Sequence, residues 1–188
     1  MPASMMHLLA AHVLKPHAPA LFWAGSLAPD AVPWPEKDRT HFRDAPDREQ
    51  VLRSLAARTD PADQFAEAVL MHFWLDRAWD EGPFAEFISA HGEDWFRLYR
   101  AELSRVSAHL FRSLDWSGRV FREALACPEE AYGETPGAVR GQVREFIGRT
   151  HEWHKAAEFD PPLYFSPGFC EEFCRRGADG YKGWRELG

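Results

Sequence analysis

An all-α fold is what this sequence predicts: a compact multi-helix single domain over residues 1–188, with a long N-terminal loop packed on it. Three observations predict that class. Apolar residues recur at helical spacing, as in Phe96, Tyr99, Leu103, Val106 and Leu110. No stretch has the alternating Val/Ile/Thr pattern of a strand or a hairpin signature. The chain's 188 residues, 45% hydrophobic and 27% charged, suffice for one domain with a real core.

The first helix is expected over residues 3–15, ended by Lys15-Pro16. Residues 16–46 are rich in proline and aspartate and predict a long irregular segment with a short helix near Leu21–Gly25. Loops of that length are usually functional or disordered, and Phe22, Trp23 and Trp34 favour a packed one. Asp47–Arg58 reads as helix. The next helix is better marked. Asp60 suits the N-cap, Pro61 the first helical position, and Asp63 the positive end of the dipole. It runs to about Asp80 and stops at Gly82-Pro83. Further helices are expected over Phe84–Ala90, 93–114, 117–126 and within 135–159, the last carrying Val139, Val143, Ile147 and His154 on one face. The tail starts with SPGFCEEFCRRG, a short capped helix in which Cys170 and Cys174 are packing residues.

Charge and cysteine usage narrow the function classes. A formal net charge of −7 supplies no electrostatic footprint for duplex nucleic acid. No apolar run approaches the ~20 residues of a membrane span. The stretch MPASMMHLLAAHVLKPHAP lacks a basic leader region and is interrupted by His7 and His12, so it reads as a mature helix rather than a signal peptide. Three cysteines suit a reducing compartment, and a cytoplasmic location is expected. Nothing in the sequence sets the oligomeric state.

The stretch MHFWLD, residues 71–76, carries the first chemical signal. His72 and Asp76 are four apart and share a helix face with Phe65, Val69 and Trp79, so both point inward. A charged aspartate buried without a partner costs several kcal/mol or shifts its pKa. A divalent metal removes that penalty for both residues, and neutral imidazole with carboxylate suits zinc and related ions. A buried His–Asp hydrogen bond satisfies the pair equally well. The long loop adds Asp30 in GSLAPD and His41 in DRTHFRD, and the first helix adds His7. Singly, these are a turn residue, a loop histidine and a core-edge histidine. The ordered series His7, Asp30, His41, His72, Asp76 is harder to explain that way.

The segments MMHLLAAHVL, FWAGSLAPDAV, KDRTHFRD and VLMHFWLDRAW resemble the zinc-dependent phospholipase C family, especially its short bacterial members. That family is related to the fungal single-strand-specific nucleases. The resemblance covers roughly the first 80 residues, in order and spacing of motifs, and implies an all-α fold. It also implies that Asp30, His41, His72 and Asp76 hold one Zn²⁺, with Asp76 bridging to a second metal that His7 also binds. The chain departs from the family in three places. Six residues beginning with Met1 precede His7, and none is the tryptophan that serves the secreted enzymes as an N-terminal ligand. Gly82 stands where those enzymes have a histidine. His154 and Glu158 keep an H-x3-E spacing, but without a partner at position 82 a capping or packing role for His154 is favoured. One or two metal ions is therefore the expectation.

The chemistry that follows is hydrolysis of a phosphoric ester, of phosphodiester or phospholipid-headgroup type, with a small-molecule phosphoester or lipid headgroup as substrate. A bound divalent ion lowers the pKa of its water and stabilises charge on a phosphoryl oxygen. Asp30 is a ligand or the base that orients that water. Arg39 and Arg43 flank His41 and are candidates to meet a phosphate, or are solvated loop arginines. Trp23, Trp34 and Trp74 are candidates to wall a pocket, although core packing is the commoner use of such residues. Two other readings stand beside the hydrolase. One is a metal-stabilised helical protein without turnover, its ion stapling the loop to the helices. The other is a metal-free helical binding module. No His-Asp dipeptide occurs, which disfavours an HD-type phosphohydrolase.

Overall fold

The computed structural model describes residues 2–33 and 35–187. The chain is helical throughout, and the described residues form no strand beyond one isolated bridge between Thr135 and Ala138. Helix α1 (Ser4–Leu14) is built from Leu, Ala and Met and ends just before the Lys15-Pro16 step. Helices α2 (Ala20–Leu27) and α3 (Lys37–Thr40) follow, separated by a 3₁₀ turn over Ala28–Ala31. Helix α4 (Arg48–Ala56) is capped by the Asp47 carboxylate, which accepts the Gln50 N–H at 2.9 Å.

Helix α5 (Gln64–Trp79) is the central element. Its N-cap is Asp63, which accepts from the Phe65 and Ala66 amides at 3.1 and 3.0 Å, not Asp60. Asp60 instead closes the preceding turn by accepting from Ala62. Nor does the helical path stop at Gly82-Pro83. A π-helical turn over Asp80–Phe84 carries it into α6 (Ala85–His91). Pro83 lacks an N–H and would clash with the carbonyl four residues back; a wider turn relieves that clash.

Four further helices follow: α7 (Trp95–Ser113), α8 (Ser117–Ala126), α9 (Arg140–Ala156) and α10 (Pro167–Glu186). Two details differ from the periodicity. Phe96 is half exposed at the start of α7, and Val139 is an exposed N-cap whose amide donates to Gln142 rather than a member of the buried face of α9. Helix α10 is far longer than the short helix expected. Gly177, at the end of that short helix, serves close packing: a Cβ there would lie 2.6 Å from Leu75 Cδ1 on α5. Cys170 and Cys174 are buried on this helix as packing residues, the Cys174 thiol reaching the Met6 carbonyl of α1.

One cluster of buried apolar side chains draws on residues from α1 through α10, including Trp23, Phe65, Phe73, Trp79 and Phe121. The segment expected as a loop contributes much of it. Phe22, Trp23, Ala24 and Leu27 of α2 are fully buried against α5 and α8. Gly25 makes that approach possible, since a Cβ there would sit 2.3 Å from the Phe65 carbonyl. No helix among the described residues is long and apolar enough to cross a membrane.

Candidate metal centre

Four elements converge beneath α2. Helix α1 brings His7, and the 3₁₀ turn after α2 brings Asp30. The turn after α3 brings His41, and α5 brings His72 and Asp76. Ligand atoms of His7, Asp30 and His72 lie within 4.8 Å of one another, as do those of His41, His72 and Asp76. All are buried. His7, His41, His72 and Asp76 are 0% exposed and Asp30 is 7% exposed.

The local chain explains how each side chain is aimed. Gly25 lets α2 approach α5 so closely that the Ser26 carbonyl meets His72 Nδ1 at 2.8 Å. His41 sits at the C-terminal end of α3 and is followed by Phe42, whose φ of 57° lies in the left-handed region. That conformation costs about 1–2 kcal/mol for a residue with a Cβ. Phe42 is held there by its ring against Phe73, centroids 5.1 Å apart, and by the Arg43 amide donating to the Asp38 carbonyl.

Proton bookkeeping defines the site. The Ser26 carbonyl can only accept, so His72 Nδ1 carries the hydrogen and neutral His72 presents a bare Nε2. Thr40 Oγ1 donates to the Glu36 carbonyl, so its contact with His41 Nδ1 at 3.2 Å assigns that hydrogen to the imidazole. His41 Nε2 is then bare as well. These two nitrogens lie 3.5 and 3.6 Å from the same oxygen, Asp76 Oδ2. His7 Nε2 lies 3.2 Å from the other oxygen, Asp76 Oδ1. Neither Asp76 oxygen, neither His7 nitrogen, and neither Nε2 of His41 and His72 has a hydrogen-bond partner. The Asp76 oxygens and the Nε2 atoms of His41 and His72 thus face one another across a gap that a cation would make favourable.

A proton is one such cation. Burial opposes charge on His72, but the adjacent Asp76 carboxylate outweighs it and raises the pKa overall. Burial lowers His7, and the His72 ring stacked on it at 3.6 Å lowers it further, while burial pushes His41 down to about 4. Burial works against the Asp76 carboxylate too, yet the His72 and His7 imidazoles beside it hold it well below the usual carboxylate range. The donor set of three imidazoles and two carboxylates fits a divalent ion such as Zn²⁺. The Ser26 carbonyl and Thr40 hydroxyl are the outer partners such histidines need.

Asp30 joins this centre to a cavity of about 770 Å³ and is the only one of the five residues that lines it. Lys37 donates to Asp30 Oδ1 at 2.5 Å. Burial works against the Asp30 carboxylate, but the Lys37 charge holds its pKa far below the ordinary value. Lys37, Arg43, Arg100 and Arg149 give the wall positive charge; Phe84, Trp95, Tyr99 and Trp153 give it aromatic surface. Arg43 is held by Asp80 at 2.5 and 2.8 Å.

Other sequence candidates fall elsewhere. Arg39 is exposed on Glu36 and does not reach the cavity, so it is a solvated surface arginine. Trp23 is core, its indole N–H donating to Glu123, and Trp74 packs near Tyr181; neither walls the cavity. Trp34 lies outside the described residues. His154 does line the cavity, but it spends both nitrogens, on the Thr150 carbonyl at 2.7 Å and the Ser107 hydroxyl at 2.8 Å, in the packing role expected of it. Sequence reasoning missed Lys37 and the aromatic wall. The DRT run after Lys37 pointed only to His41, and Trp95, Tyr99 and Trp153 looked like ordinary helix-face residues. No protein-family model, curated protein or solved structure matches this chain.

Proposed function

We propose that this chain is a metal-dependent hydrolase of phosphoric esters, working with one or two Zn²⁺ or related divalent ions held among His7, Asp30, His41, His72 and Asp76. The observation that carries the reading is the convergence of bare His41 and His72 Nε2 atoms on one unpartnered Asp76 oxygen, next to a cationic and aromatic cavity. A divalent ion in that donor set lowers the pKa of its water and stabilises charge on a phosphoryl oxygen. The chain's own groups supply the rest. Asp30 stands on the cavity wall, where its carboxylate can orient the attacking water. Arg43, locked by Asp80, presents a fixed guanidinium to a phosphate. The rings of Phe84, Trp95, Tyr99 and Trp153 cover the apolar part of a phosphodiester or lipid headgroup substrate.

The test is a panel of phosphomonoesters and phosphodiesters assayed with added Zn²⁺ or Mn²⁺. We expect turnover that chelator abolishes, that metal restores, and that Asp30→Asn reduces without unfolding the chain. A metal-loaded protein inert to the whole panel would favour a second reading, a structural ion that staples α1 and the residue 28–41 segment to α5. Complete burial of His7, His41, His72 and Asp76 supports that alternative, since structural sites are closed and catalytic ones keep an open position.

A further inference from the structure

The centre offers two overlapping positions for a cation, one among His41, His72 and Asp76 and one among His7, Asp30 and His72. They share His72, whose Nδ1 is committed to the Ser26 carbonyl. Its single Nε2 lone pair can serve only one ion. The second position is then left with His7 Nε2, the Asp76 Oδ1 that lies 3.2 Å from it, and Asp30, whose Oδ1 Lys37 already occupies at 2.5 Å. Charge points the same way. The two carboxylates balance one divalent ion, and Lys37 adds a further positive charge. Asp80 cannot offset more, because Arg43 and Arg48 bracket it. A second divalent ion would add uncompensated positive charge in a buried site.

We infer that the Lys37 ammonium takes the place of a second metal cation, so that the native centre holds a single divalent ion and Lys37 faces the cavity beside it. The inference rests on the metal reading above. It makes Lys37 a positioning residue, which keeps Asp30 oriented and the count of ions at one.

The experiment is Zn²⁺ uptake by the full chain, read by elemental analysis after dialysis and by titration calorimetry, for wild type, Lys37→Met and Lys37→Arg. Wild type and Lys37→Arg are expected to hold one ion per chain. Lys37→Met removes the charge and frees Asp30 Oδ1. It is expected to take up a second ion and to bind the first about tenfold more tightly or better. Two ions in wild type, or one ion at unchanged affinity in Lys37→Met, would overturn the inference while leaving the metal centre standing. No uptake in any of the three would overturn both. Circular dichroism and melting of the chelated proteins show whether each variant is folded, and Lys37→Gln repeats the charge removal if Lys37→Met is not.

Discussion

Glu102 and Asp76 are both fully buried carboxylates on long helices, yet their surroundings are opposite. Glu102 of α7 accepts the backbone N–H groups of Leu163, Tyr164 and Phe165 at 2.7–3.0 Å. It ties down the segment before α10 and leaves no donor unanswered. Asp76 of α5 meets imidazole nitrogens at 3.2–3.6 Å, two of them bare in the neutral rings. The histidines repeat the contrast: His154 uses both nitrogens, while His72 uses one and aims the other at a carboxylate. Burial alone does not mark a site. What marks it is a set of buried acceptors with too few protons among them.

Breaking the contrast at its unsatisfied end should have the largest effect. Asp76→Ala is expected to abolish metal uptake and to lower the stability of the metal-loaded chain by about 4 kcal/mol. With chelator present the loss should be smaller, because the metal-free chain engages Asp76 only through its contacts with His7, His41 and His72 at 3.2–3.6 Å. Denaturant melts with and without chelator measure both numbers. At the satisfied end, Glu102→Ala strands three backbone donors and should cost about 3 kcal/mol, with the same loss in either condition. A chelator-dependent loss there would erase the distinction between the two carboxylates.

The histidines sharpen it through pH. Burial pushes His154 down to about 4. The unfolded chain, with a histidine pKa of about 6.5, then binds more protons between those values, so stability falls as the pH drops through that window. In the metal-free protein, His154→Phe should be less acid-sensitive than wild type by about 2 kcal/mol between pH 7 and pH 5. Its metal content should be unchanged, and loss of metal in this variant would contradict the packing role. The smallest effect belongs to Arg39→Ala, a change in an exposed pair with Glu36, where stability should move by no more than about 0.5 kcal/mol and metal content not at all.

Much of this was legible in the residues themselves. Helical spacing located α7 and α8, which bury one face, while α1 and α5 are buried nearly all round and were marked by their apolar runs and end signals; the i, i+4 step then put His72 and Asp76 together. Series order brought in His7, Asp30 and His41, and the fold places all three beside His72. The misses have local causes. Proline-rich sequence around α2 points to a short helix near Leu21–Gly25 but not to how deeply tertiary contacts bury Phe22, Trp23 and Leu27, and the short helix expected for α10 stops at Gly177, which packs against α5. Lys37 and Arg39 look equivalent in the chain. Only the direction of α3 puts one ammonium on Asp30 and leaves the neighbouring guanidinium in solvent.

The most direct test of the account is the metal content of the purified wild-type chain, measured by elemental analysis beside Asp76→Ala prepared identically. The account predicts a stoichiometric zinc-like ion in wild type, none in the variant, and a melting temperature that chelator lowers only in wild type. A wild-type chain that is metal-free, takes up no Zn²⁺ when it is offered, and melts identically with and without chelator would contradict it.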